Sequence, residues 1–122
     1  MKKLATEHAP AAIGPYSQAY CANGFLFTSG QLGIDPETGA AGGTIEEQAD
    51  RSCRNIGAIL DAAGAGFESV VKTTCFLADM NDFAAFNAVY ARYFTGNPAR
   101  SCVAVRTLPK NMLCEIEAIA AL

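Results

Sequence analysis

The chain has no tryptophan and a single histidine, His8, among its 122 residues. One imidazole excludes a histidine acid/base couple of the ribonuclease kind and any pair of histidine metal ligands, because both arrangements need two. His8 reads as an exposed terminal residue. Charge is scarce as well: Asp, Glu, Lys and Arg make up 17% of the chain, and Lys2-Lys3 is the one adjacent basic pair. Nucleic-acid binding depends on clustered Lys and Arg that displace counterions. A net charge of −3 with scattered basic residues counts against it. No run approaches the ~20 apolar residues that cross a bilayer. Met1-Lys2-Lys3 turns polar at Thr6-Glu7-His8 and does not lead into the apolar stretch of a secretory signal. A soluble, cytoplasmic protein without a membrane partner is expected. The five cysteines (Cys21, Cys53, Cys75, Cys102 and Cys114) are odd in number and contain no C-x-x-C pair. Reduced thiols are expected, not a disulfide framework or a zinc site. Cys53 and Cys75 lie in apolar periodic segments and read as small core residues.

What the chain has in excess is apolar surface. Hydrophobic residues form 51% of it, more than one domain spanning residues 1–122 can hide alone, so homo-oligomerisation is expected. Thr44-Ile45-Glu46-Glu47 is a capping box. Beyond it Ala49, Cys53, Ile56, Leu60 and Ala63 form a helical stripe, and Gly64 supplies the stop. Asp50, Arg51, Arg54 and Asp61 occupy the opposite face. A second helix opens near Asp79-Met80-Asn81-Asp82, carries Phe83, Phe86, Tyr90 and Tyr93 or Phe94 on one side, and closes at Gly96-Asn97-Pro98. Strands are expected over residues 24–30, 69–77, 100–105 and 113–120, with a weaker one over 18–21. Thr107 to Asn111 reads as the turn between the last two. The Gly-rich segment 35–43 reads as a loop without a phosphate-cradle motif. The order of elements gives an α+β domain: a mixed sheet with two helices packed on one face.

Two strands carry a charge inside an apolar run: Arg100 in Pro98-Ala99-Arg100-Ser101-Cys102-Val103, and Glu115 in Cys114-Glu115-Ile116-Glu117-Ala118. A guanidinium matches a carboxylate in bidentate geometry, and a nearby Glu can hold or activate water. The pair therefore suits a small organic acid undergoing proton transfer, or else an Arg–Glu ion pair bridging two strands. Strand alternation places Cys114, Ile116 and Ala118 on one face and Leu113, Glu115, Glu117 and Ile119 on the other. Arg100, Cys102 and Ala104 share a face of their own strand, and register decides whether Glu115 lies on it too.

Several further segments complete a family pattern: Ala9 through Gln18, Thr28-Ser29-Gly30-Gln31, Ala62-Ala63-Gly64, Val71-Lys72-Thr73-Thr74, Met80-Asn81-Asp82-Phe83 and Leu108-Pro109-Lys110. Together with the two charged strands, and in this order, they give the chain a near end-to-end resemblance to the RidA (YjgF/YER057c/UK114) family. That resemblance implies a chorismate-mutase-like fold assembled as a homotrimer with three clefts between subunits. It also implies hydrolysis of 2-iminobutanoate and 2-iminopropanoate to 2-keto acids and ammonia, with no metal or organic cofactor. Such imines leave pyridoxal-phosphate-dependent dehydratases and damage other pyridoxal-phosphate enzymes, so the implied role is protective.

By position, the resemblance makes Arg100 the clamp on the substrate carboxylate and Glu115 the group that positions water and handles its proton. It places Tyr16, Ser29 and Asn87 around the cleft, with Cys102 beside the arginine as a lining residue. No histidine lies near Cys102 in sequence to make it a nucleophile. The connection Thr95-Gly96-Asn97 before Pro-Ala-Arg-Ser is shorter than in the family pattern, which bears on the cleft rim. Two other readings stand beside this one: an endoribonuclease or translation inhibitor, and a non-catalytic keto-acid-binding or holdase-like protein.

Overall fold

The computed structural model describes residues 1–122 and is built on one mixed sheet. Its strands are β1 (Lys2–Leu4), β2 (Ala19–Ala22), β3 (Phe25–Thr28), β4 (Gln31–Leu32), β5 (Val70–Leu77), β6 (Ala99–Ala104) and β7 (Cys114–Ala121). The spatial order is β1-β2-β3-β7-β5-β6, with the two-residue β4 pairing to β7 beyond the end of β3. Only β5 and β6 run parallel. Such a pair cannot be joined by a tight turn, and the helix α2 (Phe83–Tyr93) supplies the crossover. The other helix, α1 (Ile45–Ala62), precedes β5. Neither helix is long and apolar enough to cross a membrane.

The ends of α1 follow from its sequence. Thr44 accepts the Glu47 amide at 3.2 Å, and the Glu47 carboxylate reaches back to the Gly43 amide at 3.3 Å. At the other end the Ala65 amide bonds the Leu60 carbonyl at 2.9 Å and the Gly64 amide bonds that of Asp61 at 3.0 Å. Gly64 has a φ of +75°, the left-handed turn this closure requires. The buried stripe is wider than the apolar spacing indicates, because Gln48, Ser52 and Asn55 are buried with Ala49, Cys53, Ile56 and Leu60. Each has a partner: Gln48 bonds the Gly42 carbonyl and the Leu113 amide, Asn55 the carbonyls of Leu32 and Ile34, and Ser52 the Cys114 thiol. These bonds tie the 33–43 loop and the start of β7 to the helix.

The core fills the space between the helices and one sheet face. Leu26, Cys75, Leu77, Cys114, Ile116, Ala118 and Ala120 point into it from the strands, meeting Cys53, Ile56 and Leu60 of α1 and Phe86 of α2. Truncating a fully buried member such as Ile56 to alanine is expected to cost about 2–5 kcal/mol. Aromatic rings close the α2 end, with Tyr90 stacked on Phe94 at 4.3 Å and Phe67 edge-on to Phe94 at 5.1 Å. The second helix begins at Phe83, later than Asp79. The Asp79 side chain instead caps a single 3-10 turn over Met80–Asp82 through the Asn81 amide. The opposite sheet face carries no helix. Phe25, Phe27 and Val103 on it are 41–47% exposed, and this face holds much of the apolar excess seen in the composition.

Candidate functional site

Register separates the two charged groups. Thr73 of β5 lies opposite Arg100 on one side and opposite Ala118 on the other, so Arg100 points to the helix-covered face. Phe76 lies opposite Glu115, which therefore points to the open face. With β5 between their strands and their side chains on opposite faces, Arg100 and Glu115 form no ion pair within the chain. The ion pairs present are Arg51–Asp35, Arg54–Asp50 and Arg92–Asp50. Arg100 and Glu115 are each left without an opposite charge.

On the helix side, Arg100 Nη1 donates to Asn87 Oδ1 at 2.8 Å. Its guanidinium carbon stands 4.8 Å from the centre of the Tyr90 ring and 5.5 Å from that of Phe83. Tyr90 is itself fixed by a 2.7 Å bond between its hydroxyl and that of Thr73. Two aromatic faces and one amide oxygen hold the guanidinium plane and leave several of its five N–H donors uncommitted. Asn87 reaches this position from mid-α2. Cys102 shares the face two residues further along β6, beside Cys75. Burial pushes its thiol above the ordinary range, and the Arg100 charge only partly offsets this. That direction is opposite to the one a nucleophilic thiol needs.

On the open side, Glu115 lines a cavity of about 620 Å³ with Tyr16, Ser29, Gly30, Leu32 and Ile34 among its walls. The carboxyl of Glu115 is pushed up, first by burial and then by the neighbouring Glu117 carboxylate. A proton-accepting group gains basicity from such a shift. Gly30 makes room for it: a side-chain carbon at position 30 would fall inside van der Waals contact with the Glu115 carboxylate. The Ser29 hydroxyl donates to the Ser17 carbonyl at 2.6 Å, and the Ser29 amide donates to the Gln18 carbonyl at 2.8 Å. Ser29 thus fastens the segment that carries Tyr16.

Gln18 completes this wall. Its side-chain amide donates to the carbonyls of Thr6, Ala9 and Pro10 at 3.1, 3.2 and 2.7 Å, and its oxygen accepts the Thr6 amide at 2.7 Å. Four bonds from one buried side chain shape the Pro10–Tyr16 rim. Of the residues expected at a site, Tyr16, Ser29 and Glu115 come together around the cavity. Arg100, Asn87 and Cys102 come together on the opposite face. Gly30, Asp35 and Lys110 also line the cavity. The dipeptide Ser29-Gly30 and the turn Leu108-Pro109-Lys110 were the available signals for two of them, but a turn signal by itself does not show that it borders a cavity.

A seven-stranded mixed sheet with two helices on one face and an acid-lined cavity on the other defines a small α+β class. The family described as Endoribonuclease L-PSP matches residues 6–122. RutC family protein slr0709 of Synechocystis is 55% identical over 126 residues, covering 100% of this chain and 97% of the relative. The 2-iminobutanoate/2-iminopropanoate deaminase of Salmonella typhimurium is 50% identical over 123 residues, covering 98% of this chain and 96% of the relative. The crystal structure of Escherichia coli TdcF with bound serine is similar at a TM-score of 0.96 and 43% identity, covering 100% and 99% of the two chains. The chain belongs to this family, the RidA/YjgF family.

Proposed function

We propose that this chain is a cytoplasmic deaminase that hydrolyses 2-imino acids such as 2-iminobutanoate and 2-iminopropanoate to 2-keto acids and ammonia. In this reading it acts as a homotrimer and protects pyridoxal-phosphate enzymes from imines released by dehydratases. The observation that carries the proposal is the pair of unmatched charges: a basic carboxylate at a cavity, and a pre-oriented guanidinium with free donors on the other sheet face. Each completes a site only when a second copy brings its Arg100 face against the Glu115 face of the first. The name of the Salmonella relative and the serine bound by TdcF support a small amino-acid-like substrate with one carboxylate.

The chemistry needs no covalent nucleophile. Arg100 fixes the substrate carboxylate, and Asn87 holds Arg100. Glu115 takes a proton from water as the water oxygen bonds to the imine carbon and the C=N electron pair moves to nitrogen. The same carboxyl then returns the proton to nitrogen. This gives a carbinolamine, whose hydroxyl proton Glu115 carries to the amino nitrogen, so that the C–N bond breaks, ammonia leaves and the carbonyl forms. Aligning water and supplying one base are together worth roughly 10²–10⁴-fold for a general base. The family description also favours a second reading, endoribonuclease, but a net charge of −3 and one histidine supply neither phosphate affinity nor an imidazole couple.

The test is keto-acid release from 2-iminobutanoate, made in place by a threonine dehydratase, while semicarbazide competes for the imine. Wild type is expected to outrun the trap, and Arg100→Ala to match the protein-free blank. Wild type at the blank would move a keto-acid-binding role to first place, and RNA cleavage by Arg100→Ala would revive the nuclease.

A further inference from the structure

The cavity beside Glu115 has a charge problem if its ligand is an anion. Two carboxylates line it, Glu115 and Asp35, and Lys110 is the one cation among its walls. Asp35 is matched by Arg51 at 3.0 Å, whereas Glu115 has no such partner and the whole chain carries −3. An approaching carboxylate meets like charge at the wall and over the molecule. Lys110, which forms no ion pair with any carboxylate of the chain, is the group placed to offset this.

Its backbone shows that the placement is constrained. Lys110 has φ 58° and ψ 22°, and Asn111 follows with φ 53°, two successive left-handed residues that are not glycine. Backbone of this kind persists only where the surroundings over-determine it. Leu108 and Met112 do so here, both buried against Ile34 on either side of the arch. The Asn111 amide closes on the Leu108 carbonyl at 3.1 Å and the Leu113 amide on Gln48 Oε1 at 2.7 Å. Glycine would fit this apex with less strain. Packing gives no reason for a lysine, because the residue is exposed and makes no side-chain hydrogen bond.

We propose that Lys110 is a substrate-capture residue: its ammonium, held at the Glu115 cavity by the strained arch, draws in the carboxylate of the incoming 2-imino acid. The inference rests on the deaminase reading above. It assigns Lys110 the approach of the substrate and leaves to Arg100 the grip on the bound carboxylate. Because the ammonium is exposed, its effect is a few-fold and depends on salt.

Lys110→Gly is the decisive variant, since it removes the charge and relaxes the backbone together. Its melting temperature is expected to equal or exceed that of wild type; a clear drop would overturn the strained-arch argument. At low ionic strength KM for 2-iminobutanoate is expected to rise about fivefold, with kcat retained. The difference should vanish near 1 M salt, where the screening length is about 3 Å. Lys110→Arg should restore KM and Lys110→Glu should raise it further. Calorimetric binding of 2-oxobutanoate to the same proteins separates the two claims. Hydrolysis by wild type with an unchanged KM, or a loss confined to kcat, in Lys110→Gly overturns the capture role and leaves the deaminase reading standing. No hydrolysis, but Lys110-dependent binding of 2-oxobutanoate, does the reverse. Neither hydrolysis nor binding overturns both.

Discussion

The two faces of the sheet treat a half-buried charge in opposite ways. On the helix side Arg100 is surrounded by Tyr90, Phe83 and Asn87, groups that stabilise a cation without neutralising it. On the open side Glu115 sits half-buried beside another carboxylate, so its charged form is disfavoured. The first environment keeps a guanidinium charged and aimed, and the second makes a carboxylate readier to take a proton. One chain therefore carries two unpaired charges of opposite sign on opposite sheet faces, on strands separated by a single strand. A structural ion pair would have placed them on one face. Their separation argues that each is matched by something outside the chain.

The widest gap between the faces should appear on breaking each in turn. Glu115→Gln and Arg100→Ala are each expected to lower kcat/KM by roughly 10²–10⁴-fold, measured by keto-acid release against the blank. Refolding the two inactive variants together should then return roughly a quarter of wild-type activity. In a cyclic oligomer with shared clefts, that fraction of clefts pairs an intact Glu115 with an intact Arg100. No recovery on mixing would show that one protomer supplies both groups. Asn87→Ala loosens the guanidinium without removing it, and about a tenfold rise in KM is expected from the lost charge-assisted bond. Glu117→Gln removes the like charge beside Glu115, so the acid limb of the kcat/KM profile should move to lower pH.

The smallest effect is on stability. Because the folded state raises the Glu115 pKa above its unfolded value, its contribution is most favourable below the unfolded pKa and is lost as pH rises through the folded one. Glu115→Gln should therefore unfold at a slightly higher temperature than wild type at neutral pH, with the difference disappearing in acid. Thermal scans at the two pH values check this.

Both helices and five of the seven strands were legible, because their signals are local. A capping box, a stop glycine and an aromatic stripe at helical spacing do not depend on the rest of the chain. The two strands that were not legible, Lys2–Leu4 and Gln31–Leu32, have three and two residues. They exist through pairing with β2 and β7, not through any pattern of their own. Buried Gln18, Gln48 and Asn55 escaped for the same reason, as their partners lie six to sixty-five residues away. The site residues were named through family resemblance, and Tyr16, Ser29 and Glu115 do line one cavity. Their separation from Arg100 was not legible, since the strand sequences allow either register and long-range pairing decides it.

The thiols of the interior have a consequence of another kind. Burial pushes Cys75 up to about 12 and Cys114 up to about 11, and it pushes Cys53 up as well. Such shifts disfavour the thiolate, which is the form that oxidants attack. A protein holding five free cysteines thus presents peroxide with only the two less buried ones, Cys21 and Cys102. The other three thiols are shielded by the core that packs around them.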